Sequence, residues 1–118
     1  MTVDLGPLHP GLLLDALALP LEHEPVAAEQ VVAGSPTTGY AVLVDGPPEI
    51  GVWEMTPGTA SDVEVDEVFV VLAGHGTVRF DMPLLEPITL RPGSVVRLTA
   101  GMHTTWHITE TLRKLYIA

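Results

Sequence analysis

Eleven glycines and eleven prolines are scattered along this chain, and together they break it into short segments. Proline fixes φ and removes a backbone donor, and glycine supplies the conformations that tight turns demand, so each one bends or ends an element. The apolar runs left between them are of strand length, which points to an all-β domain. One stretch suits a helix: Gly11 to Leu19, led in by Pro10 and stopped by Pro20. Asp15 is its only polar residue, so it is expected to pack on its own barrel or on a second subunit.

From Val31 onward the pattern reads as strands and turns. Strands are expected over Tyr40–Val44 and Ile50–Thr56, the second ending at Pro57-Gly58. Glu67–Leu72 and Thr77–Asp81 flank Ala73-Gly74-His75-Gly76, which reads as a hairpin turn. Ile88–Leu90, Ser94–Leu98, Thr104–Ile108 and Leu112–Ile117 complete the set. About seven or eight strands at this spacing suggest a sandwich or jelly-roll barrel. Residues 1–30 form an arm and residues 31–118 the barrel, with 118 residues enough for one core.

The charge balance excludes several function classes. Five basic residues face fifteen acidic ones, for a formal charge of −10. Such a surface repels phosphate backbones and anionic lipid, so neither nucleic acid nor membrane is an expected partner. With no cysteine, disulfides, thiolate metal sites and thiol nucleophiles are all excluded. The apolar run from Leu12 to Leu19 is too short to cross a bilayer and lacks a basic flank, so the expected location is the cytoplasm. No G-x-G-x-x-G or G-x4-G-K-[ST] phosphate loop occurs. The acids Asp62, Glu64 and Asp66 lack the glycine and twelfth-position acid of a calcium loop.

Successive strand side chains face opposite ways, so parity sorts the candidates. Val63, Val65, Glu67, Phe69 and Val71 share one face, and Asp62, Glu64 and Asp66 the other. With the odd face inward, the three even acids are solvated and Glu67 alone is a carboxylate aimed at the interior. Thr104, Trp106 and Ile108 share a face, which makes Trp106 interior and His107 exterior.

The punctuation of two segments, Glu67 to Gly76 and Gly93 to Trp106, resembles the two signature motifs of the cupin superfamily. Glu67 and Gly74 keep the E-x6-G spacing of the first motif, and Gly93, Thr99 and Gly101 keep the frame of the second. Five blocks occur in order: Gly34-Ser35-Pro36-Thr37, Gly51 to Gly58, Asp66-Glu67 to Gly74, Ala100-Gly101 to Trp106, and Thr111 to Tyr116. They are similar to small single-barrel cupins of the group related to (S)-ureidoglycine aminohydrolase, over roughly residues 31 to 118. The resemblance implies an all-β, cupin-type jelly-roll β-barrel with a short N-terminal arm or helix. In metal-binding cupins, His, Glu and sometimes Gln side chains hold a divalent ion. Here Ser61, Val63 and Thr104 stand in the histidine positions, and Glu67 remains.

Glu67 is therefore a candidate ligand or general base. Alternatively it is a structural acid bonded to backbone or paired with Arg97 or Arg79. His103, one residue before the histidine position of the second motif, is the candidate catalytic partner, or else a rim histidine. His75 and His107 read as surface residues. Trp53, Met55, Phe69 and Trp106, with Tyr40, Thr104 and Arg97 as weaker members, form a candidate small-molecule pocket or the core of a small barrel. Two functions follow. One is a binding module that holds a small organic ligand without a tightly held metal, Glu67 being its polar handle. The other is a metal-dependent, ureidoglycine aminohydrolase-like enzyme with Mn, Fe, Ni or Zn on Glu67 and His103. A third reading fills the barrel with its own side chains and leaves the work to the surface. The apolar arm suggests a homodimer.

Overall fold

The computed structural model describes residues 7–118, and every regular element among them is a strand. There are nine: β1 (Glu24–Pro25), β2 (Val31–Ala33), β3 (Thr37–Asp45), β4 (Glu49–Met55), β5 (Gly58–Val63), β6 (Glu67–Met82), β7 (Leu84–Leu90), β8 (Val95–Leu98) and β9 (His103–Ile117). All pairings are antiparallel.

Two long strands, β6 and β9, organise the sheet. They pair with each other along their length, from Met82 opposite His103 to Val68 opposite Ile117. The other edge of β9 is divided: β5 takes its first half, His103 to Ile108, and β4 its second, Leu112 to Ile117. The other edge of β6 is divided likewise between β7 and β8. Beyond them lie β3 and β1 on the β4 side and β2 on the β5 side. Strands of this length twist, so the sheet curls into the expected jelly-roll barrel and encloses one apolar face. That face carries Phe69, Val71, Val78, Trp106, Ile108 and Leu112, all buried. Burying a side chain the size of Phe69 removes it from water at a gain of about 1.5–3 kcal/mol.

Four expectations need correction. Ala73 to Gly76 is not a hairpin turn, because β6 runs straight through it as a 16-residue strand. Gly74 has φ +90° and marks a run of register shifts against β9, so the glycines form a bulge that bends the strand. A Cβ on Gly74 would collide with the Thr111 carbonyl and the Leu112 backbone, which is why only glycine fits. Thr104–Ile108 and Leu112–Ile117 likewise belong to one strand, β9.

Gly11 to Leu19 is not a helix. Gly11 sits at φ +86°, outside the right-handed region a helix needs. Asp15 instead folds a turn, accepting at its carbonyl from Ala18 and Leu19 N–H and at Oδ1 from Leu17 N–H. The Ala16 and Leu19 carbonyls accept from Arg113 Nη1 at 2.9 and 2.7 Å, which ties the arm to its own barrel. Leu13 is left 92 % exposed.

The solvated position expected for Glu64 is also wrong. Residues 64–66 lie between β5 and β6, so strand parity does not carry across them. Glu64 N–H donates to the Met102 carbonyl and the Glu64 carbonyl accepts from Gly101 N–H, each near 2.8–2.9 Å, and this turns the side chain inward. Glu64 is buried, whereas Val63 and Val65 are more than half exposed.

Candidate functional site

The concave side of the curled sheet holds a cleft of about 1030 Å³, open on one side. Its floor is laid by neighbouring inward positions: Trp53 on β4, Glu67 on β6, and Trp106 and Lys114 on β9. Trp53 and Lys114 are direct cross-strand partners, so the register of β4 on β9 sets ring and amine side by side.

Lys114 is the only lysine in the chain. Its Nζ donates to Glu67 Oε2 at 2.5 Å, with side-chain exposures of 6 % and 11 %. The same nitrogen lies 4.4 Å from the Phe69 ring centroid, 4.7 Å from Trp53 and 4.9 Å from Trp106. One carboxylate and three ring faces thus answer a single ammonium, a geometry that replaces much of its lost hydration. Trp106 packs against both other rings, at 5.5 and 5.6 Å between centroids.

A second carboxylate sits beside this cage. Glu64 Oε2 accepts from Thr104 Oγ1 at 2.5 Å and from Trp106 Nε1 at 3.0 Å, both buried. Asp62 also lines the cleft; desolvation by its surroundings, then the charge of Glu64, raises its pKa, although part of the residue reaches solvent. Tyr116 is pushed up by burial and by Glu49, which accepts its hydroxyl proton at 2.7 Å. Six acids line the cleft, namely Glu22, Glu24, Glu49, Asp62, Glu64 and Glu67, against the lone ammonium of Lys114.

On the opposite face, one register step from Trp53 and Lys114, Glu54 pairs with Arg113. Glu54 accepts from Arg113 Nε at 2.8 Å and is hydrogen-bonded to His23 Nε2 at 2.7 Å. Burial pushes the Glu54 pKa up, but the hydrogen bonds from Arg113 and His23 outweigh it and hold the carboxyl below its ordinary value. This chain of contacts links the arm to the sheet behind the cleft.

Of the residues singled out by sequence, Glu67, Trp53, Met55, Tyr40 and Trp106 all line the cleft, Tyr40 at its exposed rim. Phe69 is buried against Trp106 beneath the floor. Thr104 is buried too, its hydroxyl committed to Glu64. The partner of Glu67 is Lys114, not Arg97 or Arg79. Arg79 pairs with Asp81 on the outer surface, and Arg97 is exposed on β8 opposite Val68. His103 is exposed and faces away from Thr104, so the fold does not bring it to Glu67. His75 and His107 lie on the surface, bonded to Glu110 and Thr59.

Lys114 and Glu64 were not anticipated as site residues. Parity could have found Lys114, since the even positions of β9 that carry Thr104 and Trp106 inward carry Lys114 and Tyr116 inward as well. Nothing in the sequence marks Glu64, because its direction is set by the loop contacts to Gly101 and Met102.

The donor set does not suit a divalent metal. Among the described residues no three His, Asp or Glu side chains come together to hold one. Glu67, the acid at the motif position, already holds an ammonium, and the histidine positions are filled by Ser61, Val63 and Thr104.

Residues 44–116 match the EutQ-like cupin domain. No curated protein matches the chain. Among solved structures, a Pseudomonas syringae pv. tomato protein of unknown function is similar at a TM-score of 0.72 and 24 % identity. That likeness covers 88 % of this chain and 46 % of the Pseudomonas protein, so the chain spans about half of its length. The EutQ protein of Clostridium difficile is similar at a TM-score of 0.60 and 17 % identity, over 70 % of this chain and 67 % of that one. A cupin superfamily protein of Desulfitobacterium hafniense gives 0.64 and 16 %, over 98 % and 97 %. These likenesses establish the cupin fold. Among the described residues no helix is long and apolar enough to cross a membrane.

Proposed function

The chain belongs to the EutQ-like cupin family, and from that premise we propose that it binds a small organic ligand in the barrel cleft without a tightly held metal. One observation carries the reading: a cleft of about 1030 Å³ whose aromatic floor presents a few fixed polar groups, Lys114–Glu67 and Glu64. Ligand pockets have this make-up, with apolar area for affinity and a small number of placed polar atoms for orientation. The five sequence blocks support kinship with the ureidoglycine aminohydrolase group. A metal-dependent reaction on Glu67 and His103 is the weaker reading, because His103 faces away and Glu67 is occupied by an ammonium. The proposed protein acts in the cytoplasm and as a homodimer. The exposure of Leu12, Leu13 and Leu17 on the arm supports the dimer, and a 12.6 kDa species in light scattering would sink it.

The experiment is a thermal-shift screen of small organic compounds, read in parallel by tryptophan fluorescence, since both tryptophans line the cleft. A true ligand raises the melting temperature in a concentration-dependent way. It also changes the emission, and both effects are lost on Trp53→Ala. Stabilisation that leaves the fluorescence unchanged and survives Trp53→Ala would place binding elsewhere and defeat the reading.

A further inference from the structure

The chain has four arginines and one lysine, and that lysine alone is seated in the cleft floor. Guanidinium cannot lose its proton in a protein, whereas a buried amine paired with a carboxylate can. We propose that Lys114 is a nucleophile that captures an uncharged aldehyde or ketone as an imine, with Glu67 taking and returning the proton. The proposal rests on reading the cleft as a ligand site and adds a covalent step to it.

The step needs no outside reagent. The proton on Lys114 Nζ passes along its 2.5 Å bond to Glu67 Oε2, leaving a neutral amine and a carboxylic acid. The transfer gives up the contacts that hold the ammonium and leaves two neutral groups that need no hydration in the cleft floor. The amine lone pair forms a C–N bond to the carbonyl carbon as the C=O π pair moves to oxygen, and that oxygen takes a proton from the newly bonded nitrogen while Glu67 keeps its own. Glu67 then protonates the resulting hydroxyl, which leaves as water while the C–N double bond forms. The net change is R–NH3⁺ plus a carbonyl giving a protonated imine plus water. Charge is conserved at the same place, so the carboxylate of Glu67 and the rings of Trp53, Phe69 and Trp106 that hold the ammonium also hold the iminium. The six cleft acids repel 2-oxo acids and other anions, which leaves neutral carbonyl compounds as the class that enters.

The test is reductive trapping at about pH 7. Native protein is treated with butyraldehyde or benzaldehyde and sodium cyanoborohydride, with pyruvate as the anionic comparator, and the adduct is located by peptide mass mapping. The chain offers two amines, Lys114 and the N-terminus. An ordinary lysine has a pKa near 10.4 and an α-amine one near 7.8, so in the absence of a built site the N-terminus labels first. The expected result is the reverse: Lys114 labels at least tenfold faster than the N-terminus with either aldehyde and slowly with pyruvate, and urea restores the ordinary order. Glu67→Gln, checked as folded by circular dichroism, should slow labelling of Lys114 at least tenfold and leave the N-terminus unchanged. If the N-terminus labels first in the native protein, the imine proposal is overturned. In that case quenching of tryptophan emission by the same aldehydes leaves the ligand cleft standing, and its absence with every compound screened removes both.

Discussion

Replacing Lys114 with methionine isolates the energy stored in the cleft floor. The substitution keeps most of the apolar stem, one atom shorter, but strands the Glu67 carboxylate, whose side chain is 11 % exposed. Breaking a buried pair from one side costs about 3–5 kcal/mol, since the surviving charge keeps its desolvation penalty and loses its partner. The three rings at 4.4–4.9 Å from Nζ lose their cation as well, which places the cost in the upper part of that range. Across 118 residues an unfolding entropy of about 2.1 cal/mol/K per residue amounts to about 0.25 kcal/mol/K. Each kcal/mol then moves the melting temperature by about 4 °C, and Lys114→Met should lower it by roughly 16–20 °C. The decisive comparison is Lys114→Met combined with Glu67→Gln. Removing both charges should recover more than half of the loss, because a neutral amide in the cage no longer carries a stranded charge. Urea melts of the four proteins in the cycle measure this. A single mutant within about 1 kcal/mol of wild type would refute the reasoning, as would a double mutant that loses the sum of the two singles.

Other predictions follow from the sheet and its polar contacts. Gly74→Ala should cost roughly 3 kcal/mol or more in urea melts, since a Cβ there meets the Thr111 and Leu112 backbone, whereas Gly93→Ala, also at positive φ but in open space, should cost only about 1–2 kcal/mol. Thr104→Val removes the hydroxyl that donates to Glu64 and should destabilise by about 1–3 kcal/mol, with the emission of Trp106 shifted by the altered carboxylate beside its indole. The folded-state pKa of Glu54 lies below its unfolded value of 4.5, so the unfolded chain binds more protons between the two. Its contribution to stability is therefore complete above the unfolded value and is lost as pH falls through the folded one. Melts from about pH 6 to pH 3 should show a loss of stability that Glu54→Gln flattens; equal slopes in both proteins would contradict the linkage.

The fold was largely legible because strand signals are local. The inward set Thr104, Trp106 and Ile108 follows from alternation within one strand, and the structure keeps it. What could not be read was whatever depends on a partner strand or a loop. Gly74 and Gly76 fit a hairpin turn or a bulge equally well by composition, and only the presence of β9 alongside decides for the bulge. Gly58 to Val63 has little apolar character and becomes a strand because β9 and β2 pair with it. Alternation extended across the break after Val63 sent Glu64 to the wrong face. Motif spacing singles out Glu67, whereas the ammonium that satisfies it comes from Lys114 near the end of β9, a partner that only the pairing of β9 with β6 and β4 brings to it.

The central claim is that this cleft works with an internal ammonium on Glu67 and not with a bound metal. The most direct test is the metal content of protein purified without chelators, measured by elemental mass spectrometry alongside the melting temperature before and after a chelator. The account predicts well under one-tenth equivalent of Mn, Fe, Ni or Zn per chain, by the absence of a ligand set, and an unchanged melt. Near-stoichiometric metal that is lost in Glu67→Gln would contradict it.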